Sequence, residues 1–565
     1  MGVGVAIAAW LSCAAPPAEP PPPPADWVLR HGGVYTADPQ RAWAEGVAIR
    51  DGLIVALGAN AEVERYIGAG TRVWDLDGRM ALPGFHDAHV HPLGAGHAML
   101  GCPLQDATDV EALLGALRAC ARRSEGEWVV GDDFDLALFA DASPRREVLD
   151  AILPDRPVLV RALDGHNSWV NSKALERAGI TAATADPPKG VIERDAVTGE
   201  PSGTLRESAE ALVESHVPTP TAEEDAEALR VAVQEMNRYG ITSFIDASVG
   251  ETEWRAYRAV EGAGALTARV RTSLTYGEYS ETTPEEFERL LSMRETFASE
   301  RVRTDAVKLF LDGVLEGETA ALVEPYVGMG EHRGELNFEP AALAEAVTRF
   351  DGLGLQVHMH AIGDAAVRAG LDAVAVARER NGPLDNRHHM AHLQLVDPSD
   401  VPRFRALDVT ANFQSLWAYP DAWILELNLP VVGRERVDRM YPIASLYDSG
   451  ARIVGGSDWS VSSVNPLPAI ETALRRADPG DDEGEVLTAS ERVELATMLA
   501  AYTREGAWLM HQEERVGMLR VGMRADLVVL ARDLFAIPRD EIGEVEVLLT
   551  LLDGTVVHDA GSAWR

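Results

Sequence analysis

Apolar residues in this chain recur in two rhythms. At the two ends they come in short runs broken by turn residues. Trp27-Val28-Leu29-Arg30 precedes Gly32-Gly33, and the runs 46–50 and 53–57 flank Asp51-Gly52. An Asp-Gly pair between apolar runs signals a hairpin, because the tight turn needs positive φ at both central residues. Residues 515–565 repeat the pattern, with an apolar run at 525–530 and two more around Asp553-Gly554. The reading is one small β-sandwich built from both termini, 26–79 together with 515–565.

Between these ends, residues 80–514 alternate apolar runs with helical segments, the pattern of βα units and a parallel sheet. Strands are predicted at 80–85, 241–246, 269–275, 305–311, 355–360, 388–392, 408–413 and 451–457. Eight such strands specify an α/β chain folded as a (β/α)8 TIM-like barrel. Residues 93–230 exceed a single βα unit. They hold apolar runs at 128–131 and 157–160 and a Gly/Pro-rich stretch at 186–203, and are read as a large insertion after barrel strand one. Residues 477–486 form an acidic loop, and no internal repeat is evident.

The first 25 residues follow neither rhythm. An apolar run of about a dozen residues is too short to span a bilayer and suits a signal-peptide core. It ends at Leu11-Ser12-Cys13, as a bacterial lipoprotein signal does, and a proline-rich tether follows at 16–24. The expectation is export with lipidation at Cys13, giving a membrane-anchored protein of the periplasm or cell surface. Without a working signal the location is cytoplasmic. No lysine or arginine precedes the run.

The 565 residues carry 89 acidic against 51 basic side chains, a formal net charge of −38. That excess argues against nucleic-acid binding, which needs basic patches to neutralise phosphates. A small-molecule substrate is the expected partner, with membrane contact only through Cys13 and the oligomeric state open. Three cysteines, Cys13, Cys102 and Cys120, show no zinc-knuckle spacing. Cys102 and Cys120 either pair in an oxidising compartment or stay free. Only Lys173, Lys189 and Lys308 are lysines, so a lysine here suggests chemistry that arginine cannot do.

Several predicted strands end in metal-binding side chains. In Phe85-His86-Asp87-Ala88-His89-Val90-His91, strand alternation points His89 and His91 to one side and His86 to the other. The pair alone is a weak signal. His358-Met359-His360, His388-His389-Met390-Ala391-His392 and Gly456-Ser457-Asp458 end three further strands. Barrel active sites sit at those carboxyl ends. Nitrogen and oxygen donors without thiolate suit Zn²⁺, and also Mn²⁺, Fe²⁺ or Co²⁺. Lys308 lies inside the apolar run 306–311, a costly place for an amine unless it is paired or modified. Carbamylation by CO₂ would make it an anionic ligand between two metals. An unmodified lysine would serve beside one.

Together these segments resemble the amidohydrolase superfamily, within it the amidohydrolase-3 branch of N-substituted formamide deformylase-like and YtcJ-like metal-dependent hydrolases. The motifs are LPGFHDAHVH at 82–91, DGHNSWVNSKAL at 164–175, VKLFLDG at 307–313, VHMHAIGD at 357–364, RHHMAHLQLVDPSDVPRF at 387–404, GGSDWSV at 455–461 and GMRADLVVL at 522–530. The resemblance implies His89, His91, His360, His392 and Asp458 as ligands of one or two divalent ions, most readily Zn²⁺. It implies Lys308 as a carbamylated bridge. Strand parity puts His358 on the same side as His360, and the HAIGD match favours His360. Asp458 is implied as ligand and proton shuttle, and His166 as a catalytic group polarising a carbonyl. His166, Asn167, Glu207 and Gln414 are candidate substrate contacts, each equally able to hold a loop. Trp417, Tyr419 and Trp459 hint at an apolar substrate group. The implied reaction is hydrolysis of a non-peptide C–N bond in an amide, formamide or cyclic imide. The alternatives are a deaminase on the same scaffold, separable by its ammonia product, and a non-catalytic metal- or ligand-binding lipoprotein.

Overall fold

Eight parallel strands, each hydrogen-bonded to the next in chain order, form one sheet in the computed structural model. They are β1 (Phe85–Val90), β2 (Ile241–Val249), β3 (Arg269–Thr275), β4 (Val302–Phe310), β5 (Gln356–Ala361), β6 (His389–His392), β7 (Thr410–Phe413) and β8 (Ile453–Gly455). The ring is joined just past β8 by a parallel bridge between Val90 and Trp459. This is the expected barrel. The structure describes residues 22–124, 126–139, 142–277, 283–481 and 483–561. Cys13 and most of the tether therefore lie outside the described residues. No described helix is long and apolar enough to cross a membrane.

Alternation along the strands sorts the side chains. Val357 and Met359 of β5 join an apolar core with Val347 and Val374 of the flanking helices, so His358 and His360 turn to the barrel interior. One strand expectation is corrected. Met80–Pro83 is a strand of another sheet, and β1 starts at Phe85. The chain changes sheets at Gly84, where a Cβ would stand 2.3 Å from the Thr242 hydroxyl.

The terminal segments form two sheets. Trp27–Arg30, Gly46–Arg50, Leu53–Gly58 and Arg72–Asp75 make the first. Gly33–Tyr35, Trp43–Ala44 and Met80–Pro83 combine with Leu527–Leu530, Val547–Leu552 and Thr555–Asp559 in the second. Trp27, Leu29, Val47 and Ile49 of one sheet share a core with Leu527, Val529 and Leu549 of the other. Arg269, at the start of β3, ties this unit to the barrel through Asp526 at 2.9 Å and Asp553 at 2.5 Å.

The insertion carries its own five-stranded sheet, made of Val129–Phe134, Val158–Ala162, Asn167–Val170, Gly190–Arg194 and Pro201–Glu207. The helix Ala222–Arg238, opened by a Thr221/Glu224 capping box, packs on Pro92–Leu100 and leads into β2 as a barrel helix. Cys102 and Cys120 form a disulfide, with Cα atoms 5.7 Å apart, linking the end of Pro92–Leu100 to the helix Val110–Arg123.

Candidate metal centre and cavity

His89, His392 and Asp458 each offer a ligand atom within 4.8 Å of the others, all from buried side chains. Asp458 Oδ1 lies 3.3 Å from His89 Nε2 and 3.1 Å from His91 Nε2. His392 Nδ1 stands 3.7 Å from Asp458 Oδ2, is buried, and has no hydrogen-bond partner. Lys308 Nζ is 3.4 Å from His89 Nε2, fully buried at the same floor. The His360 ring lies 4.5 Å from that of His392. Its Nε2 donates to the Gly313 carbonyl at 3.1 Å, which leaves Nδ1 as the lone-pair nitrogen. Of the six residues expected at the centre, all therefore gather at one end of the barrel. His86 and His388 do not. His388 is tied to Asp351 at 2.9 Å, and His86 is buried behind β1 against Gly506.

The backbone at this end is unusual. His392 and Asp458 have φ of +76° and +56°, a region that non-glycine residues seldom occupy. Asp458 is held there because its N–H donates to the His89 carbonyl at 2.7 Å, while the His91 N–H donates to Trp459 at 2.9 Å. Gly456 allows the approach: a Cβ there would stand 2.8 Å from both His89 Cβ and His89 N. Asp87 accepts from the N–H groups of His89 and Ser457, each at 3.0 Å, binding β1 to the segment after β8.

A second layer sets the imidazoles. His358 Nε2 lies 2.8 Å from His89 Nδ1, and Ser273 Oγ 3.0 Å from His358 Nδ1. His358 therefore orients His89 from below. Asp312 accepts from the N–H groups of Ala321, Ile362 and Gly363 at 2.8–3.0 Å, fixing the loops after β4 and β5. Sequence reasoning missed Asp87, Ser273 and Asp312. Asp87 and Asp312 lie within the quoted motifs, whereas Ser273 has no such mark.

Burial holds His89 down to about 3, with the Lys308 charge adding to it, and holds His360 and His392 well below the ordinary histidine value. These rings are neutral at physiological pH, the form that binds metal. Burial alone would raise the Asp458 carboxyl, but the rings of His89, His91 and His392 hold it well below the usual carboxylate range. An orphaned buried imidazole nitrogen, neutral rings and an ionised carboxylate fit a divalent first-row ion with nitrogen and oxygen ligands.

A cavity of about 1130 Å³ opens above this floor, walled by the insertion together with loops at the ends of the later barrel strands. His166 lines it, its ring 5.4 Å from His360. His166 Nδ1 meets Glu207 Oε2 at 2.9 Å, and Thr319 donates to Glu207 Oε1 at 2.7 Å. Burial would lower His166, but Glu207 and Asp164 outweigh it and push it up to about 10, so it presents an imidazolium. Trp417 and Tyr419 also line the cavity, and Trp417 stacks on His392. Three candidate contacts are not among the lining residues. Asn167 is buried between Asp164 and Arg206. Gln414 accepts the His392 N–H at 3.0 Å, shaping the strand end from behind. Trp459 packs against the main core, away from the cavity lining.

An eight-stranded parallel barrel with imidazoles and a carboxylate gathered at the carboxyl ends of its strands is the architecture of a metal-dependent hydrolase. The chain belongs to the amidohydrolase family, whose profile matches residues 72–558. Among curated proteins it is 31% identical to Protein LONG AFTER FAR-RED 3 of Arabidopsis thaliana, over 90% of this chain and 87% of that protein. It is 27% identical to the N-substituted formamide deformylase of Arthrobacter pascens, over 94% and 98% of the two chains. Among solved structures, an uncharacterized metal-dependent hydrolase from Pyrococcus furiosus superposes with a TM-score of 0.69 at 26% identity, over 90% of this chain and 99% of that one.

Proposed function

We propose that the protein hydrolyses a non-peptide C–N bond of a small amide, formamide or cyclic imide, using His89, His91, His360, His392, Asp458 and Lys308 to hold one or two divalent ions, with zinc favoured. The observation that carries this is the convergence of His89, His91, His392 and Asp458 beneath a large cavity. A divalent ion held there would lower the pKa of a water and polarise a carbonyl. Asp458, ionised and in contact with the histidines, takes a proton from the attacking water as the C–O bond forms. It then returns that proton to the nitrogen as the C–N bond breaks. The His166 imidazolium, held by Glu207, donates to the carbonyl oxygen as negative charge builds on it. Lys308, buried beside His89, is proposed as the carbamylated bridge.

The test supplies metal-replete protein with N-substituted formamides, linear amides, cyclic imides and ureas, and identifies the products. Release of a carboxylic acid and an amine, or ring opening of an imide, is expected. Ammonia from an amino-substituted ring would establish the deaminase instead. Inertness of a fully metallated sample across all four classes would leave a binding protein.

We further propose export, with the chain anchored through Cys13. The Cys102–Cys120 disulfide supports an oxidising compartment. Mass spectrometry of the mature protein from the membrane fraction should find a lipidated cysteine at its start. An unprocessed chain confined to the cytosol would contradict this.

A further inference from the structure

The cavity wall is more acidic than the rest of the molecule by a wide margin. Over the chain, acidic side chains outnumber basic ones 89 to 51. The cavity lining holds ten carboxylates, against Arg161 and Lys308 as its only lysine or arginine. Arg161 is engaged by Asp132 at 2.8 Å and Glu214 at 2.7 Å. Lys308 lies at the floor beside His89, and His166 is held by Glu207. Among the described residues of the lining, Arg161 and Lys308 are thus both engaged away from Glu316 and Asp421.

Two of these stand out. Glu316, on the loop after β4, makes no ion pair among the described residues. Asp421 accepts from the Ile424 N–H at 2.9 Å, a neutral donor. Both line the cavity, as does Tyr441. Burial, with Asp164 as a neighbour, pushes Glu316 up to about 8, and burial with Asp135 nearby pushes Asp421 up to about 7. Carboxyls so placed resist ionising until a positive charge arrives. The aromatic rings of Trp417, Tyr419 and Tyr441 face the same space. Aromatic faces beside carboxylates are the chemistry that receives an organic ammonium. A carboxylate or phosphate group on a substrate would find no such partner along this wall.

We infer that the cavity selects substrates bearing a protonated amine remote from the bond that is cut, with the ammonium against Glu316 and Asp421 and an apolar spacer along Trp417 and Tyr419. The position of the scissile bond rests on the C–N hydrolase reading proposed above, whereas the charge preference rests on the wall alone.

The probes are phenethylammonium and its neutral isostere phenethyl alcohol, titrated by calorimetry into metal-replete protein. The ammonium is expected to bind at least about tenfold tighter, as a charge-assisted contact implies. Glu316→Gln should bring the two probes to within about threefold of each other. Asp421→Asn, on a separate loop, should do the same in case the first variant misfolds. Equal affinities in the parent protein overturn the inference, as does a preference that both folded variants retain. A parallel assay offers a mono-N-formyl diamine and the N-alkylformamide of matched length. Preferential ammonium binding with neither formamide cut would fell the hydrolase reading and leave the cation site standing. Equal probe affinities with both formamides cut at the same kcat/KM would do the reverse.

Discussion

Asp458 and His91 meet across the seam of the barrel, carboxylate oxygen to Nε2 at 3.1 Å. The contact is set by backbone: the Asp458 N–H donates to the His89 carbonyl, and the His91 N–H to the Trp459 carbonyl. The carboxylate is thus delivered to the histidines by the same hydrogen bonds that join the two ends of the sheet.

Asp458→Asn keeps an oxygen at this position and removes the proton acceptor. Metal content by elemental analysis should stay near that of the parent, while turnover falls by about 10²–10⁴. Undiminished turnover would remove Asp458 from the proton path.

Lys308→Ala tests the bridge. The variant should bind less metal per chain, and short carboxylic acids such as acetate should restore part of the loss by occupying the vacated position. Unchanged metal stoichiometry would exclude a bridging role for Lys308.

Gly456→Ala tests the close approach at the seam. Its Cβ would crowd His89 at 2.8 Å, so either Asp458 or His89 must shift. The expected cost is about 1–3 kcal/mol in unfolding free energy, with weaker metal retention during dialysis. A variant as stable and as well metallated as the parent would show that the seam yields freely.

The clamp between barrel and sandwich carries a pH signature. Burial works against ionisation of Asp553, but Arg269, Arg301 and Arg524 outweigh it and hold its carboxyl below the ordinary value. A pKa depressed by folding gives stability that is present above the unfolded-chain value, about 3.9, and is lost as pH falls through the folded value. Asp553→Asn should therefore cost about 1–3 kcal/mol at neutral pH and progressively less in acid, read from denaturant unfolding across a pH series. A penalty constant with pH would assign the effect to packing.

The barrel was legible because its code is local. Apolar runs with period-two alternation name the strands, and the parity of His89 and His91 names the face. Height along the barrel axis is not local. His358 and His360 share a parity, yet one orients His89 from below while the other faces the cavity, and only the packed ring of strands tells them apart. Asn167 and Gln414 read as candidate contacts because polar residues in a motif carry no mark of direction, and both turn into hydrogen bonds that hold loops. The helix that leads into β2 is hidden in the sequence for a similar reason. The helix Ala222–Arg238 has the pattern of any amphipathic helix, and its partner Pro92–Leu100 lies more than a hundred residues earlier.

The hydrogen bonds at the seam also make the centre a reporter of folding. A chain whose last strand has not docked has its histidines but lacks the carboxylate beside them. Such a chain should therefore hold the ion weakly, and firm uptake marks molecules whose ring has closed. Metal retention thus measures how many chains finished their fold as well as how many can turn over substrate.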